Sequence, residues 1–271
     1  MIIREPKFAG RFYPEKPKTL IAMLQDLYNR VEFSHKKLRA KGIILPHGAY
    51  HYSGQVAMSV LKCIEIPENI VILAPNHSGL GSEVTIIQEG RFVTPIGDIT
   101  INSSLAKRLL QEVNYIKDDI KPHIIEHSIE VQLPMMKYMR SDVKIVPLII
   151  KKLETELLSE IISKMASVFK DCQEDFIFLS TSDLSHYVSY DETIRKDKLI
   201  LKFIEQMDVS GLKKVKEEEK ISMCGYECLA INMTLSRLLG ASHCLIKRYD
   251  TSSTADGNYE SVVGYVGACF V

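Results

Sequence analysis

The stretch "GIILPHGAYHYSG" (residues 42–54) starts as a buried strand and ends among ring nitrogens and phenols. Ile43, Ile44 and Leu45 form a short apolar run that stops at Pro46, and two histidines and two tyrosines follow before Gly54. A run of this length, bounded by turn residues, reads as a strand covered on both faces. The pattern recurs in "NIVILAP" (69–75), "VKIVPLII" (143–150) and "DFIFLST" (175–181). Segments with apolar residues at helical spacing lie between these runs. They cover 20–31, a helix N-capped by Ser53 and carrying Val56, Ala57, Val60 and Leu61, then 104–113 and 128–139. Pro134 should kink or break the last of these. Further helices are expected at 154–169, 191–207 and 225–239.

Strands separated by helices of this length predict an α/β fold with a largely parallel central sheet flanked by helices. "EVTIIQEGRFVTPIGDITI" (83–101) alternates, with Glu89-Gly90 and Gly97-Asp98 as turns, and reads as an inserted antiparallel excursion that makes the sheet mixed. "CLIKRYD" and "VVGYVGACFV" close the chain as strands. With no repeat, low-complexity tract or Ser/Gly linker, residues 1–271 read as a single domain.

The composition, 46% hydrophobic and 25% charged, is that of an ordinary globular protein. Lys+Arg and Asp+Glu both number 34, so there is no basic excess of the kind nucleic-acid binders show. No apolar stretch approaches the roughly 20 residues that cross a bilayer. "MIIREPKFAG" lacks the apolar centre of a secretory leader, so a cytoplasmic location is expected. The six cysteines are Cys63, Cys172, Cys224, Cys228, Cys244 and Cys269, with no C-x-x-C pair. All but Cys224 read as free thiols, mostly within apolar patterns.

The polar residues are placed with regularity. His47 follows strand 42–45, His77 follows strand 69–73 in "APNHSGLG", and Asp183 and His186 follow strand 175–181 in "STSDLSHYVS". Ligand crevices of open parallel sheets form outside the carboxyl ends of the strands, so three loops should deliver these side chains to one edge. Cys224, in "ISMCGYE", precedes the helix from Gly225, a position that lowers a thiol pKa and favours the metal-binding thiolate. Two imidazoles and one sulfur would make a three-ligand site with an open position, the pattern of a catalytic rather than a structural metal. Taken singly, each of these residues is an ordinary surface histidine or buried thiol. The shared placement is what sets them apart. His35, His51 and His243 read as exposed or strand-edge residues. His127 and Glu130 in "EHSIEVQLP" form H-x-x-E, which on a helix would share a face, while Glu126 and Ser128 read as helix-start chemistry. H-E-x-x-H, G-x-S-x-G, P-loop and G-x-G-x-x-G patterns are absent from the sequence.

"FAGRFYP", "ILPHGAYHYSG", "LAPNHSG", "TPIGD", "EHSIEVQLP", "TSDLSHY", "CGYE" and "TSSTADGNYESVVGYVG" together resemble the MEMO family, called component B of the AmmeMemoRadiSam system in prokaryotes. The resemblance runs in order from residue 8 to residue 267. It implies a fold similar to the class III extradiol ring-cleaving dioxygenases. It also implies metal ligation by His47, His77 and Cys224, with Asp183 and His186 lining the same pocket. The metal would be iron or copper, with zinc as the further option. Two departures are visible. The residues after His47 run Gly48-Ala49-Tyr50 rather than Ala-Gly-Tyr, a swap that keeps space near the metal. Cys224 stands where the dioxygenases carry a carboxylate on ferrous iron, which shifts metal preference toward softer ions.

Two functions follow from the resemblance. In the first, a metal-dependent redox enzyme, His186 acts as general acid/base, Asp183 orients it or binds substrate, and Tyr13, Tyr50 and Tyr52 wall the pocket. In the second, the pocket is a non-catalytic binding module for a small aromatic or anionic ligand such as a phosphotyrosine peptide. AMMECR1-like and radical-SAM proteins are the expected partners.

Overall fold

The computed structural model describes residues 2–32 and 36–271; His35 lies outside them. In chain order the elements are β1 (Ile2–Arg4), α1 (Pro17–Asn29), β2 (Gly42–Leu45), α2 (Tyr50–Leu61), β3 (Asn69–Pro75), β4 (Val84–Ile86), β5 (Gly90–Phe92) and β6 (Ile99–Ile101). Then come α3 (Ser103–Glu112), β7 (Ile116–Asp118), α4 (Ile120–Ile125), α5 (His127–Glu130), α6 (Gln132–Met139), β8 (Lys144–Ile150), α7 (Thr155–Lys170), β9 (Phe176–Thr181) and β10 (Asp183–Val188). The chain closes with α8 (Tyr190–Glu205), α9 (Val209–Glu218), α10 (Tyr226–Leu238), β11 (Cys244–Thr251), α11 (Ser253–Asp256) and β12 (Val262–Phe270).

The four apolar runs form the centre of one mixed sheet. β8, β3, β9 and β2 lie side by side and parallel, with β6 parallel beyond β8. Every residue of β2 and β3 is buried, because helices cover a sheet of this kind and leave no wet face. α10 packs across β2, β3 and β9, and α2 packs on β2, β11 and β12. β12 runs antiparallel to β2 through Ala268–Phe270 and to β10 through Val262–Tyr265, with β11 along its other edge.

Residues 83–101 make the sheet mixed, as expected: β5 pairs antiparallel with β6 and β4 antiparallel with β8, while β6 joins β8 in parallel. Two local expectations are corrected. Ser53 is not a helix cap. α2 starts at Tyr50, with Ala49 as N-cap, and the Ser53 hydroxyl donates back to the Gly48 carbonyl at 2.8 Å. Asp183 and His186 sit on a strand, β10, rather than in a loop. α9, within a polar stretch, was not anticipated.

Pro134 acts as expected. Having no N–H for the Glu130 carbonyl, it leaves α5 to end at Glu130 and α6 to begin at Gln132.

Candidate metal centre

Two strand ends and one helix start converge. His47 lies two residues past β2, His77 two residues past β3, and Cys224 two residues before α10. The ligand atoms of His47, His77 and Cys224 all lie within 4.8 Å of one another. The His47 and His77 rings are 5.2 Å apart at 74°. Cys224 reaches them because Gly225 packs tightly against the end of β9. A Cβ there would stand 2.5 Å from Ser182 Cβ and from the Thr181 carbonyl oxygen, and the Gly225 N–H donates to Ser182 Oγ at 3.0 Å.

The hydrogen bonds fix which ring nitrogens face the centre. Glu126 N-caps α5 and is buried. Its Oε1 lies 2.8 Å from His77 Nδ1 and 3.2 Å from His127 Nδ1, while Oε2 accepts the His77 N–H at 2.8 Å. A carboxylate only accepts, so both Nδ1 atoms carry protons and Nε2 is the nitrogen that each ring has left to offer a metal. His47 Nδ1 lies 2.8 Å from Thr181 Oγ1, which also accepts from the buried Gln132 amide at 3.1 Å. His47 Nε2 is 3.3 Å from Cys224 Sγ. Such partners orient metal-bound histidines and set their tautomers. Two imidazoles and one thiol, gathered this closely, are a donor set that fits a single transition-metal ion.

Electrostatics keep the pair at the centre neutral in the metal-free protein. Burial lowers the His47 pKa to about 4, against the opposing charge of Asp183. Burial and then the Asp183 charge push the Cys224 thiol up to about 12. The helix-start position therefore does not give a free thiolate, contrary to the sequence expectation. The α10 N-terminus is outweighed by desolvation and a neighbouring carboxylate. A cation arriving at the sulfur would displace the proton. Burial acts to lower the His77 pKa, but its hydrogen bond to Glu126 and that carboxylate's charge carry it above the usual value. Burial acts to raise the Glu126 pKa, yet the hydrogen bonds from His127 and His77 hold it well below the carboxylate range.

A cavity of about 460 Å³ opens over this group, lined by His47, His77, Cys224, Asp183 and His186 among others. Asp183 Oδ1 accepts the His47 N–H at 2.9 Å. Asp183 thus steadies His47 rather than His186. His186 is held by Ser222, whose carbonyl lies 2.9 Å from its Nδ1. Tyr13, Tyr50 and Tyr52 do not line this cavity, and their assignment as its walls is corrected. Tyr13 is buried with its hydroxyl on Glu130, and Tyr50 is buried with its hydroxyl on the Val131 carbonyl. Both serve the packing beneath α5 and α6. Tyr52 lines a separate cleft with His51 and Arg248. Phe12, Tyr187 and Tyr265 supply the aromatic walls instead, and the Tyr265 ring closes down on Gly48, where a Cβ would meet it at 3.0 Å.

His127, read in the sequence only as half of an H-x-x-E pattern, belongs beside this centre. Its ring stacks on His77 at 4.8 Å and 30°. Glu130 turns the other way, binding Arg4, Tyr13 and the backbone N–H groups of Lys7 and Phe8, so H-x-x-E does not form a shared site. "EHSIEVQLP" does hold three site-supporting residues, Glu126, His127 and Gln132, and its place in an ordered motif set was the available signal. His51 and His243 are exposed, as expected, and all six cysteines are free.

Taken together, these features define a mixed α/β protein with a candidate metal-binding pocket at the carboxyl ends of its central strands. Residues 4–269 match the family model described as Memo-like protein. The chain is 35% identical over 272 residues to a MEMO1 family protein of Aquifex aeolicus, with 100% of each chain covered. It is 31% identical to a MEMO1 family protein of Methanopyrus kandleri, with 98% of each covered. Against a MEMO1 family protein of Methanothermobacter thermautotrophicus it is 35% identical, covering 97% of this chain and 99% of that one. The chain belongs to the Memo-like family.

Proposed function

We propose that this chain is a redox-type metal protein in which His47, His77 and Cys224 hold one iron or copper ion, with zinc as the inert competitor. The observation that carries the reading is the gathering of two imidazoles and one sulfur within 4.8 Å. The bound ion would supply Lewis acidity and one-electron chemistry at an open coordination position. The chain's own groups do the rest. Phe12, Tyr187 and Tyr265 give a small aromatic or anionic molecule apolar faces to lie against. His186 donates Nδ1–H to the Ser222 carbonyl, which leaves Nε2 as the base that takes a ligand proton. His127, fixed the same way by Glu126, is a second proton carrier beside His77. A reducing, cytoplasmic setting would keep Cys224 as a free thiol.

Anaerobic purification with elemental analysis tests the ligand set. The wild type is expected to hold about one iron or copper per chain, with His47→Ala and Cys224→Ser both depleted. Full occupancy in both variants overturns the assignment. Exposure of the iron form to O₂ and a panel of catechols then reads ring cleavage directly.

A second reading, a binding module for a phosphotyrosine-type peptide or for AMMECR1-like and radical-SAM partners, is favoured by Tyr187, which is 75% exposed at the cavity rim. It predicts ligand capture that survives removal of the metal.

A further inference from the structure

β10 does something a regular strand cannot. Tyr265 and Val263 are two apart on β12, so they share a face. Asp183 pairs with Tyr265 and His186 pairs with Val263. Asp183 and His186 are three apart and would point to opposite faces of an unbroken strand. Both line the metal cavity because β10 carries one extra residue between them. A second irregularity follows between His186 and Val188, where Tyr187 adopts φ +57°.

The bulge is held from behind. Ser185 donates its N–H at 3.0 Å and its hydroxyl at 2.6 Å to Oδ1 of Asp197, on α8. Oδ2 of Asp197 accepts the Tyr249 hydroxyl at 2.8 Å. This carboxylate is fully buried, and no cation lies within ion-pairing distance among the described residues. The space it occupies exists only because residue 264 is glycine: a Cβ there would lie 1.7 Å from Asp197 Oδ2. Gly264 lies between Tyr265 and Val263 and faces away from the cavity. The carboxylate therefore sits on the far side of the sheet and ties the bulge to α8 and β11.

We propose that Asp197 is a positioning residue, fixing through Ser185 the bulge that turns His186 into the cavity beside Asp183. The role of His186 in proton transfer rests on the function proposed above; its placement by Asp197 does not. An uncompensated carboxylate is costly to bury, and here it gives an orphaned bulge N–H and hydroxyl their acceptor. Asn at this position would keep an acceptor for Ser185, whereas Ala would not.

The test is the imidazole nitrogen spectrum of full-length, metal-free protein labelled at histidine, recorded above neutral pH, with His186→Gln to assign the signals. Wild-type His186 is expected as the Nδ1–H tautomer. Asp197→Ala is expected to mix the His186 tautomers, Asp197→Asn to restore the wild-type pattern, and the milder Ser185→Ala to give a smaller shift. If Asp197→Ala fails to fold, Ser185→Ala decides. A wild-type His186 pattern in the alanine variants, or equal disruption by Asn and Ala, overturns the proposal. Cobalt(II) titration separates the two readings. Its affinity should change less than about two-fold in these variants, since the three ligands ride on other elements. Wild-type protein that takes up no cobalt counts against the metal reading and leaves the His186 result standing.

Discussion

Buried histidines carry the clearest pH signature of this molecule. His123, on α4, is 1% exposed, its Nδ1 has no partner, and burial lowers its pKa to about 3. The unfolded chain takes up a proton near pH 6.5, whereas the native state does so only near the lowered value. Stability is therefore fully present above the unfolded pKa and falls as pH drops toward the folded one. A single such group gives a slope of about 1.4 kcal/mol per pH unit in that window. Urea denaturation between mildly acidic and neutral pH should show this slope reduced by about that amount in His123→Gln. An unchanged slope would mean that His123 is solvated in the native state. His47 and Cys224 show the same dominance of burial over local sequence. A thiol placed before a helix reads as an activated thiolate, but burial, and after it the charge of Asp183, forty-one residues earlier in the chain, reverses the expectation.

At the scale of elements, the close approach of the α10 start to the end of β9 decides whether the sulfur arrives. Gly225→Ala would force a Cβ into Ser182 and the Thr181 carbonyl. A loss of about 1–3 kcal/mol is expected, with metal affinity falling as Cys224 withdraws. Equilibrium unfolding together with cobalt titration checks both, and a variant as stable and as avid as wild type would refute the packing argument. The apolar strands were readable because a buried parallel strand needs an unbroken apolar run, and "NIVILAP" can be little else. β10 was not readable. "DLSHYV" mixes polar and apolar residues without alternation, because its two bulges shift the facing of successive side chains, so it looks like a loop. α9 was missed for a related reason: its charged outer face hides Leu212 and Val215, the buried anchors.

Across the whole molecule, the N-terminal segment is strapped to the site through one carboxylate. Glu130 accepts the Lys7 and Phe8 N–H groups and the Tyr13 hydroxyl, and pairs with buried Arg4 at 2.5 Å. This strap holds the Phe12 ring 4.8 Å from His127. Glu130→Gln would leave a buried guanidinium without its partner charge, and a loss of about 3–5 kcal/mol is expected by urea denaturation, with faster proteolysis near the N-terminus. A loss below about 1 kcal/mol would show the pair to be dispensable. By itself the sequence determined the apolar strands, the largely parallel order that they impose and the strand-end positions of His47 and His77, because burial of an apolar run and the turn after it are local properties. Tertiary structure alone decided that Cys224 meets these histidines, that Glu126 orients His77 and His127, that Tyr13, Tyr50 and Tyr52 face elsewhere, and that a buried carboxylate beneath β10 turns His186 inward. These depend on through-space distances between segments up to 177 residues apart, and neither hydrophobic periodicity nor turn chemistry encodes such distances.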